Sequence, residues 1–477
     1  MSTIIALKKY LLEKKGFKSL FSNLKKYLEK YCFIRGENMG SKTFPGGIHP
    51  HDFKGFSKDI PIENLPLPKK VVIPVSQHIG APSKPIVKKG DDVLTGQKIA
   101  ELGGFVSIPM HASISGKVTK IARFPHPTGA MVMGIEITGN GEDKWVELED
   151  NEKYLELSIE EMKDRISQAG ICGMGGAGFP THVKISPPKD KPIDTIILNG
   201  VECEPYLTAD YRIMMEQAND ILAGLKILMK VVNAEKGIIG IEANKPEAIK
   251  KMKTLVKNEP NIKVVSLKLK YPQGAEKQLI YAATKRKVPN KGGLPMAVKV
   301  IVQNVGTAIA IYEAVRYKKP LIDRVITVSG KIVNKPKNIK ARIGTLFTDL
   351  LDFCDGTKED IGKIISGGPL MGFAISTLET PLTKGSSGLI LLNKKDAHKD
   401  EESTCLRCGR CVDICPMNLV PSLIANSVRY DDWDAAEKYG VMDCMKCGSC
   451  AYVCPSHIKL IQWIDIGKIK VDEKNRK

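Results

Sequence analysis

Along residues 193–307, short apolar runs alternate with segments whose apolar residues recur every third or fourth position. Runs at 193–198, 237–242 and 262–267 have strand length, 300–307 reads as a strand-to-helix junction, and 210–232 and 246–257 have the spacing of helices with one buried face. A further helix opens after 271–277. This alternation predicts a parallel sheet with helices on both faces. A helix over 158–168 precedes it, with Ser158 as N-cap and Glu160 and Glu161 in its first turn. From 69 to about 139 the pattern changes to short β segments separated by turns, which suit a small barrel or sandwich. Downstream, 325–333 reads as a hairpin-like strand pair, followed by a helix over 346–353 and a run at 364–369, together a β-grasp-like module. The stretch 420–443 again has helical spacing. Residues 1–38 alternate apolar and basic positions like an amphipathic helix that lies on a membrane or docks on a partner. Met39, directly before Gly40-Ser41-Lys42, is an alternative start.

Composition adds limits. A chain of 477 residues exceeds one ordinary domain, and 43% hydrophobic content supports several cores. The formal charge of +19 suits an anionic lipid surface or an acidic protein, or reflects a lysine-rich proteome. No recognition motif or aromatic-studded basic stripe accompanies it, which argues against nucleic acid. No secretory signal is present. The most apolar stretch, 296–315, is interrupted by Lys299, Gln303, Asn304 and Glu313, so it reads as a buried strand and helix and not as a membrane span.

Eight of the twelve cysteines make the sharpest pattern. Cys405, Cys408, Cys411 and Cys415 form C-x2-C-x2-C-x3-C-P, and Cys444, Cys447, Cys450 and Cys454 repeat it. Three close thiolates on a tight loop ligate three irons of one [4Fe–4S] cube, and in two-cluster ferredoxins the fourth reaches the other cube. Gly409 and Gly448 let the loop backbone approach inorganic sulfide. Zinc would also fill four thiolate positions, but its sites rarely carry this spacing with a following proline, let alone twice. The other cysteines, Cys32, Cys172, Cys203 and Cys354, lack disulfide-like spacing, as in a reducing compartment.

A second pattern is Gly173-Met174-Gly175-Gly176-Ala177-Gly178-Phe179-Pro180, with Lys184 close behind. Such a loop brings backbone N–H groups to phosphate. Polar residues follow the strands at 193–198 and 300–304, where open α/β sheets bind nucleotides. A tight structural turn is the alternative. His78, His111 and His126 read as ordinary residues of the β domain, and His182 as a structural neighbour of the loop.

These stretches resemble a known family. The glycine loop resembles the flavin loop of the NADH-oxidising subunit of respiratory complex I. Asn199-Gly200-Val201-Glu202-Cys203-Glu204-Pro205 resembles its Asn-x-x-Glu-x-Glu-Pro loop, Tyr271-x-x-Gly274-x-Glu276 its Tyr-x-x-Gly-Glu-Glu turn, and Gln303-Asn304-Val305 its Asn-Asn-Val. The resemblance implies non-covalent FMN on Gly173, Gly175, Gly176, Ala177 and Gly178, with Lys184 at the phosphate. Asn199, Tyr271, Gly274, Glu276, Gln303 and Asn304 would line the site, and NADH would stack near Phe179, Glu202 and Glu204. Met174, Val201 and Ala275 depart from the family's arginine, aspartate and glutamate. Gly90 to Gln97 resembles the turn of biotinyl- and lipoyl-carrier domains, but 111–116 has no carrier lysine, so a scaffold is expected.

The order of parts, from about 43 to 463, is similar to the C-subunit family of the Rnf electron-transport complex. The fold class it implies is multidomain α/β. Its expected parts are a basic extension (1–40), a Gly-Gly-Ile-His-Pro arm (41–68) and a lipoyl-like barrel-sandwich-hybrid domain (69–150). After them come a Rossmann-like FMN/NADH domain (151–322), an SLBB-type β-grasp module (323–392) and a helical ferredoxin-type domain with two [4Fe–4S] clusters (393–477). The implied activity is that of a ferredoxin:NAD+ oxidoreductase subunit in an ion-translocating complex, passing electrons between the clusters and NAD(H) through FMN. Integral membrane subunits, an iron–sulfur subunit that accepts electrons from ferredoxin, and ferredoxin indirectly are the implied partners. The implied location is peripheral, on the cytoplasmic face of the membrane. A soluble flavin and iron–sulfur cobalamin reductase of the microcompartment type is the alternative, and an iron–sulfur scaffold without a nucleotide site is a third reading.

Overall fold

The computed structural model of the protein describes residues 42–290, 292–397 and 400–476. The amphipathic segment expected over 1–38 lies outside the described residues.

The four apolar runs between 195 and 304 form one parallel sheet, in the order Ile262–Leu267, Lys236–Glu242, Thr195–Gly200, Val300–Asn304. Both faces are covered, which is why its strands are near-continuously apolar. Helices Ile159–Gln168, Ala209–Glu216, Ala218–Val231, Pro246–Leu255 and Val305–Tyr317 bury one face around Leu198, Leu225, Ile239 and Ile311. Helix Glu276–Thr284 closes the other over Ile197, Ile238, Val265 and Val302. Gly224 lets two of these helices touch, since an added Cβ would stand 1.9 Å from the Ala308 carbonyl oxygen. The single helix expected over 210–232 is broken at Gln217 (φ −124°, ψ 35°). The bend turns Ile213 and Met214 of one half and Ile221, Leu225 and Leu228 of the other into the same core.

The segments between 70 and 139 form two antiparallel sheets of four and three strands around Val71, Ile73, Ile99, Ile108, Ile114, Val118 and Ile135. The 111–116 stretch, an exposed tip in a carrier domain, is buried here, and Ser113 Oγ donates to the Ile343 carbonyl. That packing makes it scaffold.

The β-grasp module is a six-stranded sheet in the order Ile62–Asn64, Lys337–Arg342, Asp323–Ser329, Gly388–Leu392, Lys363–Ser366, Phe373–Ile375, with helix Phe347–Asp352 in its core. The pair expected within 325–333 is one strand. It stops at Gly330, which takes φ 138° against the Leu391 carbonyl, and its antiparallel partner is Lys337–Arg342.

Helices Pro421–Arg429, Trp433–Lys438 and Leu460–Asn475 pack on Ile424, Val428, Ile464 and Val471 and carry the two cysteine runs. The arm ties the modules together. Lys42 bridges to Leu267 at the edge of the parallel sheet, Gly47 N–H donates to Ile414 O at 2.7 Å, and Ile48 pairs with Tyr271. Farther along, Ile62–Asn64 adds a parallel strand to the β-grasp sheet.

Candidate functional site

The glycine loop is a closed turn at the C-terminal edge of the parallel sheet. Cys172 and Pro180 bridge its base, Gly173 N–H donates to Phe179 O at 2.9 Å, and Met174 N–H donates to Thr307 Oγ1 at 3.0 Å. Gly176 and Gly178 take φ 94° and 65°, a region L side chains rarely adopt. Gly175, Gly176 and Ala177 are exposed, and an added Cβ on Gly176 would meet nothing within 4 Å. The tip is open to a ligand. Gly175 rests on Asn304, where an added Cβ would stand 3.2 Å from the side-chain amide.

Several expected residues converge on this edge. Lys184 Nζ pairs with Glu276 Oε1 at 2.8 Å. Asn199 Nδ2 donates to Gly274 O at 2.8 Å, joining the strand end to the Tyr271 turn. Asn304 donates through Nδ2 to Asp210 Oδ2 at 2.7 Å, and its Oδ1 accepts from Gly306 N–H at 2.8 Å. Thr181 Oγ1, Gln273 Nε2 and Gln303 Nε2 are buried without a hydrogen-bond partner, so polar capacity is left over around the loop. An open glycine tip, a lysine and unfilled polar atoms fit a phosphate-bearing flavin. His182 is held below its ordinary pKa by burial and then by His78, and stays neutral near pH 7.

The two acids of the 199–205 loop diverge. Glu202 caps the helix Ala209–Glu216, accepting from Asp210 N–H at 2.7 Å. Glu204 turns toward the β-grasp module and accepts from Leu370 N–H at 3.0 Å and Met371 N–H at 2.9 Å. Burial pushes its carboxyl up to about 7, against the pull of those two donors. Asp210, which the sequence did not single out, is half-buried, and desolvation followed by the Glu202 charge raises its pKa.

The cysteine runs share one backbone. Arg407 and Lys446 (φ 53° and 57°), Gly409 and Gly448 (77° and 80°), and Asn418 and His457 (55° and 50°) sit at matching offsets. Cys415 of the first run joins Cys444, Cys447 and Cys450 of the second around one cavity, walled by Ile414, Ile424, Ile461 and Ile464. In two-cluster ferredoxins the fourth cysteine of each run ligates the other cube, and a cavity lined by these four cysteines suits that donor set. Among the described residues no three His, Cys, Asp or Glu side chains converge as a single metal ion requires. Four thiols lining one cavity are the donor set that a [4Fe–4S] cube takes. Lys446 N–H and Leu419 N–H point at Cys444 Sγ and Cys415 Sγ, both at 3.4 Å. Burial raises the Cys444 thiol to about 11 and raises Cys450 further, so it is metal ligation that would keep them as thiolates. Cys411 and Cys454 each pack against the small core of Ala425, Cys450, Ile458 and Leu460, while Cys405 and Cys408 are exposed.

The two sites meet at Tyr271. Its hydroxyl donates to Cys447 O at 2.7 Å and reaches Glu204 Oε1 at 3.4 Å, and its ring packs with Ile48, Cys447, Cys203 and Leu370. Gly448 lies under the Leu370 carbonyl, 3.0 Å from an added Cβ. Arm, nucleotide module, β-grasp loop and cysteine run all touch within this cluster. Arg324, Lys384 and Gln77, buried beneath the glycine loop, carried no sequence signal, because isolated polar residues beside strands have no periodicity.

The described residues match four families in order. The RnfC Barrel sandwich hybrid domain covers residues 42–142, the Nuo51 FMN-binding domain 166–313, the SLBB domain 325–374 and the 4Fe-4S dicluster domain 397–455. The chain is 53% identical to the C subunit of the proton-translocating ferredoxin:NAD(+) oxidoreductase complex of Clostridium ljungdahlii over 89% of its own length and 93% of that protein. It is 45% identical to the C subunit of the Na(+)-translocating ferredoxin:NAD(+) oxidoreductase complex of Acetobacterium woodii, over 92% and 99%. The C subunit of the ion-translocating oxidoreductase complex of Rhodobacter capsulatus is 38% identical over 91% of this chain and 84% of its own.

Proposed function

This chain belongs to the C-subunit family of ion-translocating ferredoxin:NAD(+) oxidoreductase complexes, and on that premise we propose that it is where such a complex exchanges electrons with NAD(H). Its cofactors are FMN and two [4Fe–4S] clusters. When bound, FMN exchanges a hydride with nicotinamide and single electrons with the clusters.

The chain's own residues hold and orient. The amides of the open tip, Gly175–Gly178, and the Lys184 ammonium would receive the flavin phosphate, Asn199 and Asn304 fix the strand ends beneath it, and Phe179 would flank the nicotinamide. Cys415, Cys444, Cys447 and Cys450 hold the cluster nearer the flavin, and Cys405, Cys408, Cys411 and Cys454 hold the outer one. The observation that carries this order is the Tyr271–Cys447 hydrogen bond, which puts the four-thiol cavity against the nucleotide module. Exposed Cys405 and Cys408, with Leu406 69% exposed between them, face the iron–sulfur partner protein. The acids near the site act structurally: Glu202 caps a helix and Glu204 seats the 370–371 backbone.

Similarity along nearly the whole length favours this reading over a soluble cobalamin reductase. No helix among the described residues is long and apolar enough to cross a membrane. We place the chain on the cytoplasmic face, where NAD(H) resides, held there by the other subunits of the complex. Anaerobic purification followed by flavin, iron and NADH-driven bleaching assays tests the reading. One FMN with two clusters that bleach supports it; absence of flavin with no response to NADH would refute it.

A further inference from the structure

Lys384 is 1% exposed and sits where three modules meet, just before the β-grasp strand Gly388–Leu392. Its Nζ donates to Gly170 O at 2.7 Å and reaches Pro109 O at 3.5 Å, and its backbone N–H donates to Gln77 Oε1 at 2.9 Å. Both partners of the ammonium are carbonyls. Cys172, the one titratable group beside it that would favour its charge, is kept a neutral thiol by its own burial, and burial draws the Lys384 pKa down to about 8. His78 and His111, whose pKa values Lys384 helps to lower, add no negative charge. Arg324 lies alongside, 5% exposed, donating to Lys384 O and to Met174 O of the glycine loop at 3.4 Å. Asp210 offsets Arg324, but burial pushes that carboxyl toward neutrality.

A buried ammonium held only by dipoles is costly unless an anion shares its site. The surface cation of the loop cannot be the whole answer, because Lys184 is already paired with Glu276. The buried cation that touches the loop is Arg324, at Met174 O, and Lys384 stands behind it at Gly170 O, on the β-grasp side.

We propose that Lys384 is the buried countercharge for the flavin phosphate, so that the β-grasp module makes the site select FMN over riboflavin. The proposal rests on the reading that Gly173–Gly178 holds FMN. A phosphomonoester carries close to two negative charges at neutral pH. Its attraction to a fixed cation persists over several ångströms in a low-dielectric interior. Arg324, bonded to Met174 O, holds the loop in the conformation that receives it.

The test titrates the flavin-stripped full chain with FMN and with riboflavin by fluorescence quenching, beside Lys384→Met. The variant should lose about tenfold or more of its FMN affinity, while riboflavin affinity stays within about twofold and iron content is unchanged. Equal losses for both flavins, or none, would overturn the proposal. If Lys384→Met does not fold, the unmodified chain decides: a buried charge is screened little by salt, so its FMN-to-riboflavin ratio should survive high salt. Collapse of that ratio would assign the selectivity to exposed cations and overturn the proposal. An unmodified chain that binds neither flavin would instead refute the flavin reading itself.

Discussion

The hydroxyl of Tyr271 donates to the backbone carbonyl of Cys447 at 2.7 Å, bonding the nucleotide module directly to a cysteine run. The turn that carries Gly274 and Glu276 therefore begins at the cluster loop. Tyr271→Phe keeps the ring among Ile48, Cys447 and Leu370 but leaves that carbonyl without its donor, a loss of about 1–3 kcal/mol. Flavin reduction by NADH should keep its rate while cluster bleaching slows, as read by stopped-flow absorbance. Unchanged cluster kinetics would remove Tyr271 from the path.

The two clusters should be separable by mutation. Cys408→Ser and Cys447→Ser are each expected to lose about half the iron. Only Cys447→Ser should disconnect the remaining cluster from the flavin, because its cavity is the one against Tyr271. The reverse result would invert the order of the wire.

Lys184→Glu sets two carboxylates side by side, since Glu276 lies 2.8 Å from the ammonium it replaces. FMN should be lost with both clusters retained. The flavin-to-iron ratio of the purified chain measures it, and unchanged flavin occupancy would contradict the assignment.

Gly47 joins the arm to both sites. It takes φ 82°, and an added Cβ would stand 2.6 Å from Tyr271 O. Gly47→Ala should cost at least the left-handed penalty of about 1–2 kcal/mol, plus the displacement of Tyr271. A lowered denaturation midpoint with slower cluster bleaching is the expected pair of effects. Normal stability would mean that the arm is not clamped there.

Glu204 gives stability a pH dependence of definite sign. Its folded pKa, about 7, lies above its ordinary value of 4.5 because of burial. A raised carboxyl contributes stability fully below pH 4.5, and that contribution is lost as pH rises through 7. Between about pH 6 and 8 the loss from this group is about 1 kcal/mol, and Glu204→Gln should flatten the slope in that window. Thermal midpoints of both proteins across the window measure it. Identical slopes would mean that Glu204 is ionised throughout.

Spacing alone made the dicluster domain and the parallel sheet readable, because thiolate chemistry and strand burial impose fixed intervals on the chain. The glycine loop was readable for the same reason. What the sequence hid depends on contacts between distant segments. The Glu204 carboxylate meets the backbone of Leu370, 166 residues away, a contact that no local spacing announces. Lys384 has no local pattern, and its place between Gly170 and Pro109 exists only once three modules pack. Ile62–Asn64 is too short to read as a strand, and it forms because the edge Lys337–Arg342 awaits it. The break at Gln217 is set by the shared core and not by a proline or glycine.

The central claim is that electrons from NADH enter through flavin on the glycine loop and pass to the Cys415–Cys444–Cys447–Cys450 cluster before the outer one. Anaerobic stopped-flow mixing of the purified chain with NADH tests it most directly. Flavin absorbance should bleach first, with cluster absorbance following in two phases, the second absent in Cys408→Ser. Cluster bleaching that precedes the flavin, or that persists in flavin-free Lys184→Glu, would contradict it.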